Sequence, residues 1–223
     1  MLLNCKNIFQ DFINWKTLKR EMSGRISPYR RLILITGMAR SGTSVVTAYI
    51  GSHPDVRLIV GEFMWPVLET DILRPEHGEP DWQTMDQLLH EHYPHRILLK
   101  QPWLMQNETL FRAIRPAKVI VCLRDRDRLI NSWRSSDRVS DRCKQDPKKV
   151  YSENIAHIPR MLQQGAIWVF QDELTRDIGI RIGQHLGLDP DGFDSSLLEK
   201  RWCESLEKEW INQHSITHDR RRR

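Results

Sequence analysis

The segment Leu32-Ile33-Leu34-Ile35-Thr36-Gly37-Met38-Ala39-Arg40-Ser41-Gly42-Thr43-Ser44 constrains this chain more than any other. An unbroken apolar run ended by Thr36-Gly37 reads as a strand buried on both faces, the pattern of a parallel sheet. A Gly-x-x-x-x-Gly frame follows, and then a helix expected from Gly42 to Ser52. Strand, glycine loop and helix in this order converge backbone N–H groups on an anion and add the positive end of a helix dipole. Thr43 stands where a Walker A loop carries its lysine. Without that lysine, ATP or GTP hydrolysis loses a main source of transition-state charge stabilisation. Arg40 can supply charge from another direction, and Ser41, Thr43 and Ser44 bring hydroxyl donors. The pattern points to a phosphate-bearing anion; its alternative is an ordinary strand-to-helix turn.

Four further strand-like runs lie at 56–60, 96–100, 118–123 and 166–170, with helical patterns at 63–73, 83–92, 104–114, 125–137, 148–164 and 175–186. Strands alternating with helices predict an α/β fold in three layers, a doubly wound and mostly parallel five-stranded sheet with right-handed crossovers. In such a sheet the ligand sits at the C-terminal ends of the strands. The chain reads as a single domain over 1–223 with its core at 32–188. Ile8, Phe9, Phe12, Trp15 and Leu18 recur at helical spacing, so an amphipathic helix is expected over 7–21. Its Lys16, Lys19 and Arg20 leave a membrane-surface role open beside packing on the domain. A C-terminal extension, 189–223, ends in the basic tail Arg220–Arg223.

Composition excludes whole classes. With 223 residues, 39% of them apolar and 28% charged, collagen-like, mucin-like and wholly disordered chains are ruled out. The 34 Lys+Arg exceed the 29 Asp+Glu by 5, a modest positive balance that suits an anionic ligand. No window approaches the run of about 18 apolar residues a membrane-spanning helix needs. Polar residues break the first fifteen positions, so no secretory leader is expected. Cys5, Cys122, Cys143 and Cys203 form no C-x-x-C pair, which speaks against a zinc site or disulfide framework and for the cytoplasm. His90 and His92 do not share a helix face, so His90, His92 and His95 predict no metal site. The basic tail comes without a nucleic-acid-binding motif, and no nucleic-acid partner is expected.

Two independent segments carry a family resemblance. Thr36 to Ser44, followed by His53-Pro54-Asp55-Val56, resembles the 5′-phosphosulfate loop of the sulfotransferases that use 3′-phosphoadenosine 5′-phosphosulfate (PAPS). Val119-Ile120-Val121-Cys122-Leu123-Arg124 through Ser132 resembles that family's strand-turn-helix for the 3′-phosphate, with Arg124 ending the strand and Ser132 two helical turns on. A third stretch, Trp168 to Leu174 leading to Leu186-Gly187-Leu188, is similar to the family's fifth strand and closing helix. The resemblance covers residues 32–188 and implies a P-loop-like phosphosulfate-binding loop. It implies PAPS as cofactor and PAP as product, held by Arg40, Ser41, Gly42, Thr43, Ser44, Arg124 and Ser132. Apart from the name, a strand-end arginine offers its fork to a phosphate, although Arg124 also has Asp125 and Asp127 as neighbours for a surface ion pair.

The cytosolic branch of the family takes its base from a histidine two residues after a strand-end lysine, and here Lys100-Gln101-Pro102 lacks it. Pro54 to Glu62 resembles instead the Golgi-type branch, tyrosylprotein sulfotransferases included, where a glutamate after the second strand is the base. Glu62 fills that place, beside apolar Phe63, Met64 and Trp65, whose burial would raise its proton affinity; a plain helix N-terminal charge is its alternative. Lys100 and Arg40 complete the implied catalytic set, stabilising the leaving group or sulfuryl oxygens. Two departures stand out. Nothing after Leu188 reproduces the cytosolic branch's Arg-Lys-Gly grip on the 3′-phosphate, and its adenine-contacting tyrosine would fall at Gln171.

The expected activity is sulfuryl transfer from PAPS to a hydroxyl or amine of a small molecule or peptide, without a metal. Trp65–Tyr93 is the region expected to carry a lid or the acceptor pocket. A P-loop small-molecule kinase or NTPase and a non-catalytic nucleotide-binding module are the alternatives.

Overall fold

The computed structural model describes residues 20, 24, 27–61, 82–102, 117–136, 139–199, 209–210 and 215–218. Its strands are β1 (Leu32–Gly37), β2 (Val56–Gly61), β3 (Arg96–Lys100), β4 (Lys118–Leu123), β5 (Ile167–Phe170) and β6 (Ser215–His218). They form one sheet in the order β5-β4-β1-β3-β2-β6, and every pairing is parallel. The described helices are α1 (Thr43–Gly51), α2 (Trp82–Glu91), α3 (Arg126–Arg134), α4 (Asp141–Gln145), α5 (Pro147–Ile155), α6 (Ile158–Gln163), α7 (Arg176–Leu186) and α8 (Ser196–Glu199).

Alternation of side chains along each strand builds two cores from one sheet. Leu32, Leu34, Ile97, Leu99, Val119 and Val121 face one side, where Leu89 of α2, Leu129 and Trp133 of α3 and Met161 of α6 cover them. Ile33, Ile35, Leu98, Ile120 and Cys122 face the other, beneath Val46 and Tyr49 of α1, Ile182 of α7 and Leu197 of α8. All six residues of β1 are buried, because strands at the middle of a parallel sheet have helices on both faces. Each large aliphatic side chain buried this way contributes about 1.5–3 kcal/mol relative to exposure. The result is the expected three-layer α/β arrangement.

β1 lies between β3 and β4, pairing Ile35 with Lys100 and Gly37 with Cys122. The connection after β1 runs to β2 on one side and that after β3 to β4 on the other, so the crevice at the strand ends opens here. It is also where the glycine loop starts.

The structure departs from expectation in instructive places. Beside the five expected strands the sheet carries an added edge strand: β6, from the C-terminal extension, pairs with β2 from Leu58↔Ser215 to Gly61↔His218. Ser215-Ile216-Thr217-His218 is too short to show a periodic pattern, so no sequence signal announced it. All its described pairings are parallel, in keeping with the expected parallel sheet. The single helix expected over 148–164 is split into α5 and α6. Pro159 explains the break, since its ring would clash with the carbonyl of Ile155 in a continuous helix and it has no N–H to donate. α4, ahead of Pro147, was not expected, and α3 ends at Arg134 rather than 137. Apart from residue 20, the element expected at 7–21 lies outside the described residues, as do those at 63–73 and 104–114 and the tail Arg220–Arg223.

Candidate active site

The loop between β1 and α1 is shaped by close approach at both ends. A Cβ on Gly37 would sit 2.4 Å from the Cys122 carbonyl oxygen, so only glycine lets β1 end against β4. Gly42, the residue before α1, has φ 90° and ψ 9°, in the left-handed region that favours glycine. A Cβ there would also lie 2.9 Å from Gln171 Cγ. Between them Ser41 N–H donates to the Met38 carbonyl at 3.1 Å, closing the turn. Arg40 takes φ 69°, a left-handed conformation that costs a non-glycine residue about 1–3 kcal/mol. Among the described residues no side chain caps the start of α1, whose dipole faces the loop. Ser41 is fully buried, and its Oγ has no hydrogen-bond partner among the described residues.

Lys100 lies beneath the loop. Paired with Ile35 across the β1–β3 ladder, it is 3% exposed and donates from Nζ to Ser44 Oγ at 2.9 Å. The ammonium at the end of β3 is thus delivered to the first turn of α1, on the sheet face that α1 covers. Thr43 is buried at the same turn, and its carbonyl accepts from Thr47 Oγ1 at 2.7 Å.

From the other flank, β4 and α3 hold the loop's outer limb by three hydrogen bonds. Trp133 Nε1 donates to the Ala39 carbonyl at 2.7 Å, Arg124 Nη1 to the Arg40 carbonyl at 3.2 Å, and Arg40 Nε to Ser132 Oγ at 3.2 Å. These bonds over-determine the strained backbone at Arg40. α3 is itself started by Asp125, whose carboxylate accepts from Arg128 N–H at 3.0 Å, the usual N-cap role of aspartate. That cap fixes where Arg124 leaves β4. Arg124 Nε is buried without a hydrogen-bond partner among the described residues.

β5 contributes the third wall. Gln171 lies against Gly42, and its Oε1 is buried with no hydrogen-bond partner among the described residues. Asp172, next in sequence, accepts from Arg128 Nη1 at 2.6 Å and from Asp125 N–H at 3.2 Å, tying the ends of β5 and β4 together. Burial by itself raises the Asp172 pKa. The Arg128 hydrogen bond, the Asp125 N–H and the charges of Arg128 and Arg124 outweigh it and hold the carboxyl below the usual range. Cys122, at the end of β4, has its thiol pushed up to about 12 by burial, against the pull of the Lys100 charge. The thiolate is what reacts, so Cys122 is structural here.

Of the residues singled out from sequence, the structure brings Arg40, Ser41, Gly42, Thr43, Ser44, Lys100, Arg124 and Ser132 to one end of the sheet, around one loop. Glu62 lies outside the described residues, as does most of Trp65–Tyr93. Trp133 and Asp172 were missed by sequence reasoning. Trp133 carries the pattern of a core residue, and it is one at 1% exposure, but its indole N–H is spent on the loop. The acidic residue of Gln171-Asp172-Glu173 was visible only as part of a turn.

The donor set fits a PAPS-type cofactor. Two clusters, Ser41/Ser44/Lys100 and Arg40/Arg124/Ser132, offer cations, hydroxyls and unpaired buried polar atoms to two separate anionic groups. Among the described residues there is no cluster of three or more His, Cys, Asp or Glu able to hold a metal ion. Nor is any described helix long and apolar enough to cross a membrane.

No family model matches the chain, and no curated protein matches it by sequence. Solved structures do match by shape. The sulfotransferase domain of the olefin synthase of Synechococcus PCC 7002 superposes with TM-score 0.51 and 16% identity, over 84% of this chain and 88% of that one. The class defined by this likeness is the α/β fold of a sulfotransferase domain. The sulfotransferase STF1 of Mycobacterium tuberculosis H37Rv is similar at TM-score 0.48 and 14% identity, over 90% of this chain and 80% of that one. Mouse sulfotransferase SULT7A1, in complex with PAP, is similar at TM-score 0.46 and 14% identity, over 82% of this chain and 64% of that one.

Proposed function

We propose that the chain is a PAPS-dependent sulfotransferase acting on a hydroxyl or amine of a small molecule or peptide. The observation that carries this reading is the contact between Arg40 and Ser132. It sets the loop suited to a 5′-phosphosulfate directly beside the strand-end arginine and helix serine suited to a 3′-phosphate. A nucleotide with anionic groups on both sides of its ribose matches two adjacent clusters. A triphosphate with its charge in one chain matches a Walker loop, and Thr43 replaces the lysine such a loop needs. The fold shared with a sulfotransferase domain supports the same reading.

In this reading Ser41, Ser44 and the N–H groups at the start of α1 hold the 5′ group, and Lys100 places positive charge under it. Arg124 and Ser132 hold the 3′-phosphate, with Arg40 between the two clusters. The bound cofactor supplies an electrophilic sulfuryl group and a phosphate leaving group. Positioning and electrostatics supply the rate. Glu62 is the proposed base, taking the acceptor's proton as in the Golgi-type branch it resembles. A reducing compartment such as the cytoplasm suits the free thiols of Cys122 and Cys143.

Calorimetric titration with PAP, alongside ATP plus Mg²⁺, tests this on the wild-type chain and on Arg124→Ala. The expected result is PAP binding that weakens in the variant, with ATP ignored. Tighter ATP binding would move the chain to the kinase class. PAP binding without transfer to any hydroxyl or amine would make it a nucleotide-binding module. Glu62→Gln should abolish turnover while sparing PAP binding.

A further inference from the structure

At the end of the sheet away from the glycine loop, the turn from His92 to His95 leads into β3. Two arginines fasten its last residue. Arg31, just ahead of β1, donates from Nη1 to the His95 carbonyl at 3.2 Å, and its guanidinium lies 4.9 Å from the centre of the Tyr93 ring. Arg57 of β2 donates from Nη2 to the His95 ring at Nε2, 3.0 Å away. The guanidinium of Arg57 is itself held in place, because its Nη1 donates to the carbonyls of Pro54 at 2.8 Å and Val56 at 3.0 Å.

A guanidinium has donors and no acceptor, so Nε2 of His95 accepts and the ring carries its proton on Nδ1. The pair therefore needs a neutral imidazole. A proton on Nε2 would set two cations against each other, and Arg57 could withdraw only by giving up the two carbonyls that hold it. The other charged groups around the turn do not cancel this conflict. Burial, then Arg57 and His92, act against a charge on His95, and Asp55 alone of the groups acting on it favours one; the balance holds its pKa below the usual histidine value. His92 is lowered too, by burial and Arg57 against the pull of Glu91. Arg96, next in the chain, is spent elsewhere, on the carbonyls of Leu186 and Gly187.

We propose that His95 is an acid-sensitive latch: when neutral it fastens the turn 92–95 to β2 through Arg57, and when protonated it releases that turn while the rest of the sheet stays paired. The inference stands apart from the sulfotransferase reading. The bonds at stake are local. His95 N–H donates to the His92 carbonyl and Arg96 N–H to the Asp55 carbonyl, both at 2.8 Å, so the turn and the first rung between β2 and β3 loosen together. α2 ends at Glu91, directly before the turn, and its C-terminal anchor loosens with them. The direction follows from the lowered value. Above about pH 6.5 the ring is neutral whether the turn is closed or open, and below it the open form takes up the proton first. Closure is therefore weakened as pH falls through that value.

Nitrogen-15 spectra of the imidazole rings, with His95 assigned by the signal lost in His95→Gln, test the latch on wild-type protein. The expected result at pH 7.5 is a neutral ring with its proton on Nδ1. A His95 ring that is protonated at this pH, or that carries its proton on Nε2, would overturn the proposal. Amide exchange, corrected for its intrinsic pH dependence, is then compared at pH 7.5 and 5.5. Protection of the His95 and Arg96 amides should fall about five- to tenfold relative to those of β1, the effect of one proton on a group of ordinary pKa about 6.5 in the open form. His95→Gln keeps an acceptor for Arg57 and cannot be protonated, so it should lose this response, whereas His92→Gln should retain it. A response that survives His95→Gln, or that vanishes in His92→Gln, would assign the pH dependence to another group. Protection lost equally from β1 would make the effect global unfolding and not a latch.

Discussion

Arg40 and Ser132, 92 residues apart in sequence, meet through a 3.2 Å hydrogen bond from guanidinium Nε to hydroxyl Oγ. The contact joins the loop after β1 to the helix after β4, and Arg124 reinforces it by donating to the Arg40 carbonyl at 3.2 Å. Two segments that are separate in sequence become one surface.

On the proposed sulfotransferase reading, removing the Ser132 hydroxyl and the Arg124 guanidinium should weaken PAP by different amounts. Ser132→Ala deletes one hydroxyl and should raise the PAP Kd about fivefold, as for a single net hydrogen bond of about 1 kcal/mol. Arg124→Ala deletes a charged donor and should raise it roughly 10- to 100-fold. Titration at two salt concentrations checks the assignment. The Arg124 effect should shrink at high salt, while the Ser132 effect should not. Equal losses that ignore salt would show that Arg124 acts through the loop backbone alone.

Trp133 supports the loop through a single hydrogen bond. Its indole N–H is committed to the Ala39 carbonyl at 2.7 Å, and its ring is packed in the core beneath α3. Trp133→Phe keeps an aromatic ring but orphans that carbonyl and leaves space behind. It should cost about 2–4 kcal/mol in urea unfolding. PAP affinity should fall too, because the loop loses one of the bonds that hold it. A variant as stable as wild type would show that the loop does not depend on this bond.

Gly42 and Gly165 separate backbone strain from collision. Both have positive φ, 90° and 89°, but a Cβ at Gly42 meets Gln171 Cγ at 2.9 Å, while one at Gly165 meets nothing within 4 Å. Gly165→Ala should therefore cost only the left-handed conformation, about 1–2 kcal/mol, and leave PAP binding intact. Gly42→Ala should cost more, lower Tm by roughly 4–8 °C, and weaken PAP because Gln171 must move off the start of α1. Equal costs for the two variants would mean that Gln171 gives way freely.

Much of this site was legible because its parts follow local rules. Leu32 to Ile35 reads as a buried strand, Gly37 and Gly42 mark a loop, and Lys118 to Leu123 repeats the strand signal before Arg124. What the sequence could not display is pairing across long separations. The sixth strand is defined by its partner β2 rather than by its own four residues. Trp133 looks the same whether or not its N–H reaches Ala39, since periodicity reports which face is buried and not where a polar tip ends.

Asp172 gives the site a pH dependence whose sign follows from its surroundings. Its carboxyl is held below the ordinary aspartate value, because Arg128, the Asp125 N–H and the Arg124 charge outweigh the burial that alone would raise it. A carboxyl depressed in the folded state contributes stability that is present above the unfolded value of about 3.9 and is lost as pH falls through the folded one. The side chain of Arg128 is 65% exposed and that of Asp172 24%, so the pair is screened and its worth is modest. In urea titrations across pH, Asp172→Asn should be less stable than wild type near neutrality. The gap should close as the solution is acidified below about pH 4, and it should narrow at high salt. The variant should also weaken PAP, since the tie from β5 to the start of α3 helps to set the exit of Arg124 from β4. A stability gap that stays constant across pH would assign the effect to lost packing rather than to the charge of Asp172.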